Sequence, residues 1–199
     1  MKGHQPIENL IYELSRLPGI GRKSAQRLTY YLLDQDLEDV ESLAKALVRA
    51  KRDTKKCSVC SNYSDQDPCE ICASPRRDRN ILCVVEHPKD VVTMEKTGKF
   101  HGLYHVLHGV IAPQRGVGPM ELTIPELLNR LGENDIDEVI LATNPTRDGQ
   151  TTALYLATLI QPMGIKCSRI SHGIPVGGDM EYYDTLTVGT ALENRVEMK

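Results

Sequence analysis

Four of the six cysteines fall in two Cys-x-x-Cys pairs, Cys57/Cys60 and Cys69/Cys72, with the eight residues 61–68 between them. Thiolates at this spacing can close tetrahedrally on one metal ion, and zinc is the usual occupant. The spacer is short and polar and has no core of its own, so bound metal would supply much of its folding energy. Four protein ligands leave no open position for water or substrate. The expected Zn2+ is therefore structural, one ion per chain. A redox pair is the other chemistry open to Cys-x-x-Cys, but neither pair opens a strand–helix unit of the thioredoxin kind. Cys83 and Cys167 lie in apolar, strand-like runs and read as buried thiols. Arg76, Arg77 and Arg79 follow the second pair, where they could offset thiolate charge or touch nucleic acid.

A second constellation is acidic. Glu86 ends the apolar run 80–86, and open α/β sheets place functional groups at such strand ends. Asp148 follows a later strand, in Ala142-Thr-Asn-Pro-Thr-Arg-Asp-Gly-Gln150. Two or three convergent carboxylates would hold Mg2+ for phosphoryl chemistry. The strand end here carries Asn144, whose amide brings no charge, so a two-metal set is incomplete. Glu86 can equally be a strand-end acid making ordinary hydrogen bonds or partner contacts.

The third is the turn Leu17-Pro-Gly-Ile-Gly21. Gly19 and Gly21 permit a tight backbone with positive φ, and Pro18 stops the preceding helix. Backbone N–H groups at the start of the next helix favour an anion, and Arg22, Lys23 and Arg27 add charge beside them. The turn looks like the hairpin of a helix-hairpin-helix DNA-binding motif, with contacts independent of base sequence. Similar turns also join packed helices or serve protein–protein contacts. The run Arg49, Lys51, Arg52, Lys55, Lys56 suits a DNA surface or the solvated end of a helix.

The elements that must position these groups change character along the chain. Apolar repeats predict helices over 7–17, 22–32 and 39–52 before the cysteines. Afterwards strands at 80–86, 103–107, 138–143 and 166–171 alternate with helices at 88–96, 123–131 and 150–163. Residues 111–120 read as loop, and a last helix spans 185–194 after the loose stretch 173–179. The alternation predicts a mostly parallel sheet with helices on both faces.

Composition sets outer bounds. The 199 residues are 40% hydrophobic and 26% charged, which is globular. No apolar run is long enough for a membrane span, and the start shows no signal-peptide core, so a cytoplasmic home is expected. Net charge is −3. Residues 1–56 hold eleven Lys and Arg against eight Asp and Glu, and residues 80–199 hold ten against fifteen, so the N-terminal part suits a polyanion better. There is no G-x-x-x-x-G-K-S/T loop and no G-x-G-x-x-G after a strand, so ATP or NAD use is unsupported. The elbow G-x-S-x-G is missing too.

With hairpin, cysteines and acidic loop together, the chain resembles the bacterial recombination mediator family RecR over nearly its whole length. The resemblance is carried by Leu17–Gly21, the pairs 57–72, His108-Gly-Val-Ile111, Ala142-Thr-Asn-Pro-Thr146 and Gly173-Ile-Pro-Val-Gly-Gly-Asp-Met-Glu181-Tyr. It implies an α+β chain of four parts: helix-hairpin-helix (1–56), four-cysteine zinc finger (57–79), α/β Toprim domain (80–172) and a helical C-terminal extension for assembly (173–199). It implies dimers and ring-like tetramers that encircle single- or double-stranded DNA, with no catalytic residues. RecO and RecF are the implied partners, in loading RecA onto DNA coated by single-strand binding protein.

Phosphate contact maps onto Arg22, Lys23 and Arg27. Glu86 matches the catalytic glutamate of Toprim nucleases and topoisomerases, and Asn144-Pro145-Thr146 stands where those enzymes carry Asp-x-Asp. The family's usual Glu-Gly-Glu reads Asp148-Gly149-Gln150 here, one charge fewer on a surface associated with partners. Two rival readings remain at this point, a scaffold that binds only proteins and a metal-dependent Toprim nuclease.

Overall fold

Ile7, Leu10, Ile11 and Leu14 share one face, and Gln5–Ser15 is a helix, α1, with Ile11 buried. Helix α2, Arg22–Leu33, packs on it through Ala25 and Thr29. Helix α3, Leu37–Asp53, begins two residues before the apolar repeat does, because Asp36 opens it in extended conformation and Glu38 and Asp39 suit its positive N-terminal end. It buries no residue, and Leu43, Leu47 and Val48 stand exposed. The chain divides after Thr54 into two compact units. The structure, a computed structural model, describes residues 5–171 and 173–197. His172, expected to close the Toprim domain, lies outside the described residues, as do 1–4 and 198–199.

The second unit opens with a hairpin too short to leave a periodic signal. Its strands are β1, Lys55–Lys56, and β2, Tyr63–Ser64, followed by one helical turn, α4, Glu70–Ala73. Four longer strands follow: β3 (Ile81–Val85), β4 (Leu103–Val106), β5 (Glu138–Ala142) and β6 (Lys166–Arg169). They form one sheet in the order β4-β3-β5-β6, with every pairing parallel. Leu82, Val84, Val139 and Leu141 face helices α6 (Ile124–Glu133) and α7 (Arg147–Ile160). Cys83, Val85, Tyr104 and Val106 face helix α5 (Pro88–Lys96) through Val91 and Met94. Both faces are therefore covered, and continuous apolar strands are the consequence.

The helix expected over 150–163 differs at both ends. Helix α7 starts at Arg147 rather than 150, because Thr146 Oγ1 accepts from the Gly149 N–H at 3.0 Å and caps it. It stops at Ile160, and Gln161–Met163 tightens into a 3-10 turn around Pro162. The segment expected as plain loop contains two further 3-10 turns, Pro113–Arg115 and Pro119–Glu121. At the end of the chain, α8 (Thr185–Glu193) is capped by Asp184 and buries no residue. No helix among the described residues is long and apolar enough to cross a membrane.

Strand β6 is one edge of the sheet, and β4 the other. Its outward groups are not bare: the Val106 N–H donates to Cys60 O at 2.9 Å, and Tyr104 O accepts from Arg130 Nη1 at 2.7 Å.

Candidate functional site

The four cysteines converge. Their sulfurs lie within 4.8 Å of one another and all four residues are buried. Tetrahedral zinc–sulfur bonds of about 2.3 Å would set sulfurs roughly 3.8 Å apart. Cys60 and Cys69 Sγ are 3.6 Å apart. Each pair is a tight turn: the Ser61 N–H donates to Cys57 O and the Ala73 N–H to Cys69 O, both at 2.9 Å. Asp67 ties the spacer back by accepting from the Ser58 N–H at 2.8 Å and its hydroxyl at 2.9 Å. Crowded thiols split their acidities. Cys69, accepting from Cys60 and then Cys72, is held far below an ordinary thiol, and Cys60, bonded to Cys69, is pushed far above. Cys57, Cys60, Cys69 and Cys72 would hold zinc with no ligand position left over. Among the described residues no other group of three or more His, Cys, Asp or Glu is placed to share one ion.

Glu86 sits where the strand order reverses, between the C-terminal ends of β3 and β5. In-register pairing of Val85 with Ala142 brings Asn144 beside it. The carboxylate is only 5% exposed. Its Oε1 accepts from the Asn144 N–H at 2.7 Å and its Oε2 from Asn144 Nδ2 at 2.6 Å. An amide thus satisfies the acid on both oxygens, in the place where a second carboxylate would need a cation. Gly149 packs against the pair so closely that a Cβ there would come within 2.7 Å of Glu86 Oε1 and press on the Asn144 carbonyl. Asp148 does not join them. It bonds Arg115 Nη2 at 2.8 Å, and both side chains are largely solvated. Buried Glu86 and exposed Asn144 are therefore one site, and Asp148 is a separate surface group.

In the first unit, Gly19 has φ +80° and requires glycine. Gly21 does not, since its φ of −75° is open to any residue, and it serves as the N-cap of α2. A Cβ at either glycine would meet nothing within 4 Å, so the backbone of the turn lies open. Arg22 is exposed and reaches Glu8 at 3.1 Å. Lys23 and Arg27 are exposed one helical turn apart and form no ion pair among the described residues. Arg49 and Arg52 share Asp53, which weakens the basic run as an anion surface.

Sequence reasoning missed the buried charge beside the cysteines. Arg77 is taken by Glu95, which also accepts from Tyr104 Oη at 2.7 Å. Arg79 does reach the second cysteine turn, its Nη2 donating to Cys72 O at 3.4 Å, and the guanidinium that reaches the first belongs to Arg130, on α6, whose Nη1 donates to Val59 O at 3.3 Å. No local signal marks it, because an arginine late in an amphipathic helix resembles any solvated one.

A parallel sheet with its acid at the switch point, joined to a four-cysteine finger and preceded by two helices around an open glycine turn, describes a Toprim-domain protein of composite build. Family models agree part by part: the RecR helix-hairpin-helix matches 7–51, the RecR four-cysteine zinc finger domain 54–74, the Toprim domain 80–171 and the RecR C-terminal region 173–196. A protein named "Recombination protein RecR" from Desulfitobacterium hafniense (strain DSM 10664 / DCB-2) is 56% identical over 191 residues, covering 96% of this chain and 95% of that one. The same name, identity and coverage hold for a relative from strain Y51. The chain belongs to the RecR family.

Proposed function

We propose that the chain acts in recombinational DNA repair as a non-catalytic clamp and mediator that binds DNA without regard to sequence. It works with RecO and RecF in loading RecA onto single-stranded DNA coated by single-strand binding protein. The observation that carries this is the 56% identity, over almost the full length, to relatives named as recombination proteins. The open turn at Gly19 and Gly21, with Arg22, Lys23 and Arg27 beside it, supplies the phosphate contacts. Assembly of several copies into a ring would sum those few cations on an inner wall, which reconciles DNA binding with a net charge of −3. The exposed apolar residues Leu43 and Leu47 of α3, and Tyr182, Leu186 and Leu192 near the C-terminus, suit such self-association.

The parts divide at 1–56, 57–79, 80–172 and 173–199. Cys57, Cys60, Cys69 and Cys72 hold one structural Zn2+ per chain. Glu86 and Asn144 are a retained Toprim site without strand-cutting chemistry, since both carboxylate oxygens are committed to the amide. Asp148 belongs to a partner-facing surface. The site of action is the cytoplasm, at the nucleoid.

The test is DNA retention by the zinc-loaded protein on closed circles and on linear duplex of the same sequence, across a salt series. Retention on circles with loss from linear ends at high salt supports encirclement. Equal release from both removes the clamp, and no binding at any salt leaves a protein-only scaffold. Lys23→Ala with Arg27→Ala should weaken binding and flatten the salt slope by roughly two counterions per chain. An unchanged slope would remove the hairpin from the interface.

A further inference from the structure

Three successive carbonyls of the first cysteine turn accept hydrogen bonds from the α/β part of the same unit. Arg130 Nη1 donates to Val59 O at 3.3 Å, the Val106 N–H to Cys60 O at 2.9 Å and His108 Nε2 to Ser61 O at 2.6 Å. Arg79 Nη2 reaches Cys72 O of the second turn at 3.4 Å. Arg130 differs from the other guanidinium donor, Arg79, which is exposed, in burying a charge that no ion pair among the described residues balances. It is 8% exposed, makes no ion pair among the described residues, and its Nη2 is buried with no hydrogen-bond partner. It lines one cavity together with Cys72 and Val59, and its bond to Val59 O sets it beside the first cysteine turn. Arginine cannot shed its proton, and a buried cation without a counter-charge is strongly unfavourable. Four thiolates around a divalent ion carry two net negative charges.

We propose that Arg130 is the counter-ion of the loaded tetrathiolate centre, and that metal occupancy is therefore what seats the finger on the edge of the sheet. This rests on the zinc reading above. The cysteines fold the finger around the metal. The negative centre then holds Arg130, which bridges Val59 O of the finger to Tyr104 O of β4. With the metal gone, Arg130 is left as a buried charge, and the bonds to Cys60 O and Ser61 O lose the fixed turn that presents their acceptors.

The test uses the full chain. Zinc per chain is measured first, then its affinity by competition with a chromophoric chelator. Arg130→Met keeps the unbranched stem and removes the charged head. Groups that hydrogen-bond around a metal's ligands typically contribute about 10- to 100-fold in affinity, and a loss of that size is expected. Arg130→Lys should recover part of it, and Arg79→Met should lose roughly threefold at most. Wild-type protein stripped of zinc should also show faster hydrogen exchange at the Val106 amide and along 124–133. That measurement decides the matter even if Arg130→Met fails to fold. Zinc held equally tightly by Arg130→Met, or faster exchange confined to 55–73, would overturn the inference while leaving the zinc reading intact. A wild-type chain that takes up no zinc would remove both.

Discussion

Cys57, Cys60, Cys69 and Cys72 point four sulfurs into one buried space. Some distance along the same unit, Glu86 points a carboxylate at Asn144 and has both oxygens occupied. Each places buried residues of metal-ligating type at its centre, but they treat charge in opposite ways. As thiolates, the four cysteines would gather a charge that needs a cation, and the arginines beside them, Arg130 and Arg79, could not neutralise all four. The Glu86 site instead solvates its single acid with neutral N–H donors. Burial of a ligating residue therefore says little about metal; what matters is whether the protein has already answered its charge.

The largest test of that contrast is Cys57→Ser. It should abolish zinc uptake and the cooperative folding of 55–73, since structural zinc contributes on the order of 10 kcal/mol in small zinc domains. Metal analysis and exchange protection over 57–72 would check it, and a fully folded, zinc-free variant would remove the structural role. Next is Gly149→Ala, whose Cβ has no room between Glu86 and Asn144. A loss of about 3 kcal/mol in urea unfolding is expected, with zinc content unchanged.

Asn144→Asp places a second carboxylate against Glu86. It should cost about 2 kcal/mol at neutral pH. Such a pair resists ionisation in the fold, so the penalty should fade as pH drops towards the unfolded carboxylate range and grow as pH rises above it. Mg2+ that restored the variant but left the wild type unmoved would show that the amide, not the fold, closes that site.

His105 gives a test of similar size on the β4 side of the sheet. Burial lowers its pKa to about 4, and Nε2 is bonded to Thr123. A base depressed in the fold binds more protons when unfolded, so stability should fall as pH drops from 6.5 towards 4. The loss at pH 5 should be about 2 kcal/mol, and it should vanish in His105→Gln. The smallest expected effect is Asp148→Asn. Its pair with Arg115 is solvated on both sides, and unfolding should shift by under about 0.5 kcal/mol.

Much of this was legible in the chain. Cysteine spacing announces its ligand set because the ligands are close in sequence and few chemistries use them. The apolar runs at 81–85 and 138–142 announce a sheet covered on both faces. The start of α7 was hidden because Asp148 and Gly149 look like loop; Gly149 is there for the close approach to Glu86, which only the folded sheet reveals. The strands at 55–56 and 63–64 are too short for any alternation to register. Arg130 was hidden for a different reason. Its role depends on β4 lying beside the finger, a juxtaposition between residues 59 and 130 that no local pattern encodes, so Arg76, Arg77 and Arg79 were the visible candidates. Gly21 misled in the other direction, since a glycine beside a turn need not adopt the backbone that glycine allows.

The finger's position against β4 has a consequence for many molecules together rather than for one. Strand edges with open N–H and C=O groups recruit other strands, and proteins guard them with cover or charge. Here the cover is the cysteine turn itself, which occupies the Val106 N–H, while Arg130 occupies Tyr104 O. A chain deprived of its ion would thus do more than loosen. It would uncover a ready template for intermolecular pairing, and precipitation that steepens with protein concentration should accompany demetallation.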